Sequence, residues 1–363
     1  MSARVFFTGF PGFLGSELVR RILRRPGAAR VVCLIQDKFL ALARERAAAI
    51  AAGEDVDPGR IELVVGDITR PGLGIDDGRA QARDVTEIFH LAAVYDLSVK
   101  RSLAMRVNLE GTRNVLDFAV SCPKLRRLQY VSTCYVSGRF AGIFRETDLE
   151  RGQRFNNYYE ETKYLAEIEV RRRRDTGLPV TIYRPGVVVG DSRTGETQKY
   201  DGPYYVLRWL LKQPTLAVLP VPGGTDRMRV NFVPRDFVVG AIDALAALDG
   251  SEGVCYQLAD PDPPTVAEAV TLMGEATGRV VVRVPMPVAM AKAAIDFVPG
   301  VERLMGIPSN AVDYFAHPTF YDTAQATRDL APMSLACPRL ADYLPVLVDF
   351  LKRHPEISSD AMT

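Results

Sequence analysis

Histidine is scarce in this chain. Only His90, His317 and His354 occur among the 363 residues, and none stands at a metal-ligand spacing from another, so no metal site is expected. Cysteine is nearly as sparse. Cys33, Cys122, Cys134, Cys255 and Cys337 form no CxxC pair, and their odd number does not close into a disulfide framework. A reducing, cytoplasmic setting is the expectation. Charge of one sign is also lacking: 45 Lys and Arg against 44 Asp and Glu leave a formal +1, which argues against nucleic acid as a partner. No run approaches the roughly 18 consecutive apolar residues of a membrane span. Met1 leads at once into the strand-like Arg4-Val5-Phe6-Phe7, which leaves no room for the charged and apolar regions of a secretory signal. Internal repeats and low-complexity tracts are absent as well. The basic run Arg171–Arg174 falls late in a helical stretch and reads as a solvated face near a helix C-terminus, where positive charge complements the dipole. A patch for phosphate or anionic lipid is the alternative reading.

What remains is the composition of an ordinary globular protein, long enough for one large domain or two modest ones. Short apolar runs at Val5–Thr8, Val31–Ile35, Glu62–Val65, Glu87–Leu91, Leu128–Ser132 and Val180–Tyr183 alternate with amphipathic stretches. Gly15–Arg25, Ser102–Val120 and Tyr158–Arg173 are long enough to cross over between parallel strands. The pattern predicts an α/β protein, a Rossmann doubly wound parallel sheet over residues 1–190 with ligands at the carboxyl ends of its strands. After Arg184-Pro185 the texture becomes loop-like. Val230–Val233 and Val254–Leu258, with the helix Pro234–Leu248 between them, are expected to return residues 228–260 to the main sheet. Residues 191–227 and 261–363 are left to form a smaller, mostly helical cap that binds substrate.

Three groups of residues carry chemistry. Thr8-Gly9-Phe10-Pro11-Gly12-Phe13-Leu14-Gly15 lies between the first strand and the first helix. Glycines there keep the turn tight and let backbone N–H groups and a helix N-terminus meet a pyrophosphate. Gly66-Asp67 closes the third strand, where the Asp67 carboxylate either accepts from an adenine amine or caps the next turn. His90-Leu91-Ala92-Ala93 ends the fourth strand, with small residues to lie against a cofactor and His90 read as structural. Asn108 is expected to be a buried hydrogen-bonding residue tying neighbouring strands. The third group is Tyr159 and Lys163, four apart on one helix face, with Ser132-Thr133 ending the fifth strand upstream. An ammonium beside a phenol favours the phenolate and eases proton exchange.

Together these motifs resemble the extended short-chain dehydrogenase/reductase superfamily over nearly the whole chain, which implies a Rossmann sheet with a C-terminal substrate cap. The resemblance gives the catalytic hydroxyl to Thr133, not Ser132, by alignment on Cys134-Tyr135-Val136-Ser137-Gly138, where Ser137 stands in place of the usual tyrosine. It gives the proton donor to Tyr159 rather than Tyr158, and the cofactor-binding role to Thr8–Gly15, Gln36, Lys38, Asp67, Ile68, Leu91, Ala92, Ala93, Tyr159, Lys163, Pro185, Gly186, Val187 and Val188. Gly66–Gly74, Arg184-Pro185-Gly186, Val189–Gly195 and Asp201–Tyr205 are similar to fatty acyl-CoA reductases, reductase domains of carboxylic acid reductases and thioester-reductase-like, male-sterility-type proteins. The related reductases place arginine where Gln36 stands and use NADPH. With Lys38 and Arg70 to compensate, NADP(H) is favoured and NAD(H) stays open, Asp37 being a candidate for a ribose diol. The implied reaction reduces a carbonyl or acyl thioester of a lipid-like small molecule. The apolar stretch Val284–Pro308 is read as core or as a wall for the acyl chain, with peripheral membrane contact and a homodimer left open. The rivals are an epimerase, dehydratase or hydroxysteroid-type dehydrogenase, for which Asp96 and Glu161 are the available carboxylates, and a non-catalytic nucleotide-sensing scaffold.

Overall fold

A computed structural model describes residues 3–27, 29–76, 78–96, 98–297 and 308–359. Seven strands form one parallel sheet: β1 (Arg4–Thr8), β2 (Arg30–Ile35), β3 (Ile61–Val65), β4 (Glu87–His90), β5 (Arg127–Val131), β7 (Val180–Pro185) and β11 (Cys255–Leu258). Their spatial order is β11-β7-β5-β4-β1-β2-β3. The chain therefore winds outward in both directions from the β1–β4 boundary, and that boundary is where a doubly wound sheet opens a crevice at its carboxyl edge. Side chains alternate between two cores, as a strand's period of two requires. Val5 and Phe7 pack with Leu18, Val19 and Ile22 of α1 (Phe13–Arg24) and with α8 (Arg235–Ala246). Phe6 packs to the other side with Val115 of α5 (Gly111–Val120) and Ala166 and Val170 of α6 (Tyr158–Asp175). Burial on both faces explains why these strands read as near-continuous apolar runs.

Several elements depart from the sequence expectation. Leu40–Glu54 forms α2, which the sequence reading passed over because its alanine-rich stretch lacks an apolar stripe. Short α3 (Gly78–Ala82) precedes β4. The single helix expected over 102–120 is divided into α4 (Arg101–Ala104), a six-residue π-helical stretch at Met105–Glu110, and α5. Val254–Leu258 joins the main sheet beside β7, but 230–233 does not. β10 (Phe232–Pro234) instead pairs with β8 (Val187–Val189) in a separate two-stranded sheet. The reason is the break at Gly186, after which the chain leaves the main sheet and offers β8 as a new edge; a Cβ at Gly186 would lie 2.8 Å from the Asn231 carbonyl oxygen.

A third core joins α7 (Pro203–Lys212), α9 (Val266–Thr277) and the helix Leu340–Arg353 with β9 (Leu216–Pro222), which pairs with β12 (Val280–Met286). This part thus contains a parallel strand pair as well as helices. α10 (Val288–Phe297) follows β12. β13 (Thr319–Tyr321) pairs with β6 (Gly142–Phe144), bringing the late chain back to the loop that follows β5. Among the described residues no helix is long and apolar enough to cross a membrane. The Arg171–Arg174 run is ion-paired, to Glu167, Glu169, Asp117 and Asp175 in turn.

Beneath the ends of β5 and β7 lies a buried ion pair. Arg184 of β7 and Glu167 of α6 both have fully buried side chains and meet at 2.6 Å through Nη2 and Oε1 and at 3.0 Å through Nε and Oε2. Ser132 Oγ donates to the same carboxylate at 2.7 Å. Burial works against the Glu167 charge, but Arg184, Arg171 and the hydrogen bonds from Arg184 and Ser132 hold its pKa down at about 2. Replacing Glu167 by Gln leaves the Arg184 guanidinium buried without its counter-charge and is expected to cost about 3 to 5 kcal/mol in equilibrium unfolding. Because the folded value is depressed from an ordinary 4.5, the carboxylate's stabilisation is complete above pH 4.5 and is lost as pH falls toward 2. Denaturation curves of the two proteins should converge across that acid window, and a gap that persists unchanged through it would contradict the pairing.

Candidate functional site

The crevice at the sheet's carboxyl edge is a continuous cleft of about 1990 Å³. It begins at the turn after β1. Gly9 has φ +100, a conformation open to glycine, and a Cβ there would sit 2.8 Å from the Leu91 Cβ. At Gly12 an added Cβ would fall 2.7 Å from the Gly9 carbonyl oxygen. These positions need glycine to close the turn, and the closed turn leaves the α1 N-terminus facing the cleft. Thr8 Oγ1 lies 2.7 Å from His90 Nδ1 and accepts from the Ala92 N–H at 3.3 Å, which locks the end of β1 to the segment after β4. His90 is buried, bonded through Nε2 to Thr112, and pushed down to about 3, chiefly by burial. It is a neutral structural residue.

Every residue that the sequence assigned to the cofactor or to catalysis lines this one cleft: Thr8–Gly15, Gln36, Lys38, Asp67, Ile68, Leu91–Ala93, Thr133, Tyr159, Lys163 and Pro185–Val188. Asp67 takes the turn-capping role, accepting from the Thr69 N–H at 2.8 Å. Burial raises its pKa, but that hydrogen bond and the influence of the Thr69 and Gln36 side chains and of Arg70 leave it below the ordinary carboxylate value. Lys38 is exposed over the Phe39 ring, and Arg46 and Arg70 line the same end.

Thr133 and Tyr159 converge from different elements. The Thr133 hydroxyl caps the short turn Cys134–Ser137, accepting from the Tyr135 N–H at 3.3 Å, and lines the cleft beside the Tyr159 phenol, whose ionised form it favours. Ser132 points the other way, to Glu167. Tyr159 and Lys163 occupy the first turns of α6, whose N-cap Asn157 accepts from the Glu160 N–H at 3.0 Å. The expectation that Lys163 lowers the phenol is not met. Burial pushes Tyr159 up to about 12, with the Thr133 hydroxyl as the main opposing influence, while Lys163 Nζ donates to the Val131 carbonyl at 2.8 Å. Burial also lowers Lys163 to about 8, against the pull of Glu167.

Asn108 does not tie strands together. It exchanges hydrogen bonds with Val94 at 2.8 and 3.0 Å and reaches Thr162 of α6 at 3.0 Å, which joins the loop after β4 to the helix of Tyr159. Its place on the π-helical stretch turns it toward that helix. Asp96 lines the cleft, but its carboxylate holds the turn at Ser98, and Glu161 pairs with Arg101 on the surface. The wall assigned to Val284–Pro308 is not found: of its described residues only Pro308 lines the cleft, while Met290 and Phe297 are 59% and 82% exposed. Val298, Val301, Leu304, Met305 and Ile307 lie outside the described residues. The substrate end is instead lined by Tyr95, Tyr135, Tyr205, Tyr314 and Phe315. Tyr135 stood within the quoted motif, whereas Tyr314 and Phe315 carry no local signal and arrive through the β13–β6 pairing.

The profile of an NAD-binding family described as male sterility protein matches residues 7–242. The chain belongs to that family. Among curated relatives of this male sterility family member, the non-canonical nonribosomal peptide synthetase FrzA of Cladobotryum sp is 29% identical over 74% of this chain and 27% of its own length. The fatty acyl-CoA reductase wat of Drosophila melanogaster is 28% identical over 67% of this chain and 53% of its own. The chain thus spans about a quarter to a half of these two proteins. The terminal R domain from the myxalamid PKS-NRPS biosynthetic pathway superposes with a TM-score of 0.81 at 25% identity, covering 98% of this chain and 92% of that one.

The glycine turn, the carboxyl-edge crevice and the small residues after β4 fit a dinucleotide. Gly12→Val is expected to remove cofactor-dependent thermal stabilisation, since the branched side chain collides with the turn itself before any ligand is considered. A melting shift with NADPH or NADH equal to that of the unmutated protein would take the turn out of the binding site.

Proposed function

We propose that this chain is an NAD(P)H-dependent reductase of a carbonyl or acyl thioester, with Thr133, Tyr159 and Lys163 as its catalytic residues. The observation that carries the reading is that Thr133, Tyr159 and Lys163, the last one turn along α6 from the tyrosine, line the same cleft as the glycine turn. A bound reduced nicotinamide supplies the hydride. Thr133 and Tyr159 hold the substrate oxygen between their hydroxyls, and as negative charge develops there Tyr159 passes it the phenolic proton. Burial keeps that phenol protonated at neutral pH, as a donor for reduction must be. Lys163 would exchange its bond to the Val131 carbonyl for ribose hydroxyls of the bound cofactor, and from there its ammonium would stabilise the phenolate that results. With a thioester, the tetrahedral thiohemiacetal then expels the thiol and leaves an aldehyde, which the same residues can receive for a second reduction.

NADPH is the favoured donor. Lys38, Arg46 and Arg70 border the end of the cleft beside Gln36, and cations there pair with a 2′-phosphate. The name of the Drosophila relative, a fatty acyl-CoA reductase, agrees with the reaction class. The epimerase reading finds no support in Asp96 and Glu161, which are held by other partners.

Tyr159→Phe is expected to lower turnover by about two or more orders of magnitude with cofactor affinity little changed, as stopped-flow hydride transfer and cofactor titration would show. Retained activity under chemistry-limited conditions would remove the proton donor. The substrate test compares NADPH and NADH oxidation across short, medium and long acyl-CoAs and aldehydes. The specificity constant should rise with chain length, by up to ~0.8 kcal/mol for each methylene buried against the aromatic wall. A flat profile, or activity confined to sugar nucleotides, would overturn the lipid-like substrate.

A further inference from the structure

One buried carboxylate beside the reacting pair has no part in the reduction. Glu160 follows the proposed proton donor directly and its side chain is buried. It accepts from the Asn156 N–H at 2.8 Å and from Asn156 Nδ2 at 3.1 Å, and the Tyr314 hydroxyl favours its charged form. Tyr314 belongs to the turn Asp313–Ala316, far along the chain, and its oxygen in turn accepts from Asn157 Nδ2 at 3.0 Å. Asn157 is the N-cap of α6. The Tyr314 ring stands edge-on to Tyr135, with centroids 4.5 Å apart, and Tyr135 lies two residues after Thr133. One phenol therefore touches the start of the helix that carries Tyr159 and the turn that carries Thr133.

We infer that Tyr314 is a positioning residue: through Asn157 and Glu160 on one side and Tyr135 on the other, it sets the separation of Thr133 and Tyr159. The inference rests on the catalytic roles proposed above. Its physical basis is that Tyr159 and Thr133 sit on separate elements. The N-terminal turn of a helix is held mainly by its cap, and here the cap side chain is itself held from the C-terminal segment. That segment is anchored independently of Tyr314. β13 pairs with β6, Thr319 Oγ1 donates to the Phe140 carbonyl, and the His317 ring packs on Tyr135 at 5.2 Å. Removing the Tyr314 hydroxyl should leave the segment docked and the ring contact in place while releasing the α6 cap. Burial pushes Glu160 up and Asn156 and Tyr314 hold it down, so the carboxylate depends on those partners.

The test is Tyr314→Phe in the full chain, with NADPH and the best substrate found above. The expected result is a fall in turnover of about ten- to hundredfold, the range a misplaced reacting group produces. The cofactor dissociation constant and the melting temperature should stay close to those of the unmutated protein. Glu160→Gln alone should lower turnover in the same direction, and the double variant should lose less than the product of the two single losses, since both act through one contact. Should Tyr314→Phe fail to fold, the same expectation is read from Glu160→Gln. Unchanged turnover in Tyr314→Phe, a loss confined to cofactor affinity or melting temperature, or full additivity would each overturn the inference. If Tyr159→Phe is inactive while Tyr314→Phe is not, only the positioning role falls. An active Tyr159→Phe would overturn both.

Discussion

The arrangement of the site depends on the buried pairing of Glu167 with Arg184. It joins three elements at one point: α6 through Glu167, β7 through Arg184, and the end of β5 through the Ser132 hydroxyl. Arg184 extends further, to the Asp148 carbonyl at 2.6 Å, so the loop after β5 is tied in as well. A buried pair of this kind contributes little net stability relative to apolar packing, because both charges are stripped of water. What it supplies is placement. Tyr159, Lys163, Glu167 and Arg171 recur every four residues along α6 and form one stripe. The lower end of that stripe is fixed by the ion pair, and the upper end is thereby aimed at the cleft. The same carboxylate favours the charged form of Lys163, whose own burial opposes it.

The sheet was legible because burial on both faces leaves little freedom in residue choice. All six strands expected before residue 190 exist within one or two residues, and the switch point between β1 and β4 follows from their order. α2 was not legible, since alanine at successive positions leaves no face to recognise. The interruption of 101–120 by a π-helical stretch carries no composition signal either; it is a matter of backbone hydrogen bonding, visible only once Asn108 is seen reaching α6. Residues 230–233 misled for a different reason. A short apolar strand after a parallel sheet looks the same whether it extends that sheet or pairs with a second one, and the deciding feature is the close approach of Gly186 to Asn231.

In the cleft, the residues that could be read from sequence are those fixed by backbone geometry or by spacing within one element: the glycine turn, the small residues after β4, and the Tyr159–Lys163 interval. Of the two hydroxyls that follow β5, that of Ser132 is taken up by Glu167, and that of Thr133 caps the next turn at the cleft. Residues that reach the cleft by tertiary pairing were missed. Tyr314 and Phe315 come from more than 150 residues beyond Tyr159 in the sequence, and nothing in their neighbours marks them. Of the apolar segment Val284–Pro308, read as core or as an acyl wall, Pro308 is the one described residue at the cleft, and residues 298–307 lie outside the described ones.

The electrostatics of the proposed pair also bear on the proton transfer. A phenol lifted to about 12 releases its proton reluctantly and gives it up only to a stronger base, which the oxyanion formed by hydride addition is. An ammonium lowered to about 8 by burial is the weaker cation of its type, and it is held at the Val131 carbonyl rather than at the phenol. In the proposed reduction the protonated phenol is the form that can give its proton to the nascent alkoxide. The upward push on Tyr159 comes first from its burial, and Tyr95, Tyr135 and Tyr314 line the cleft that it faces.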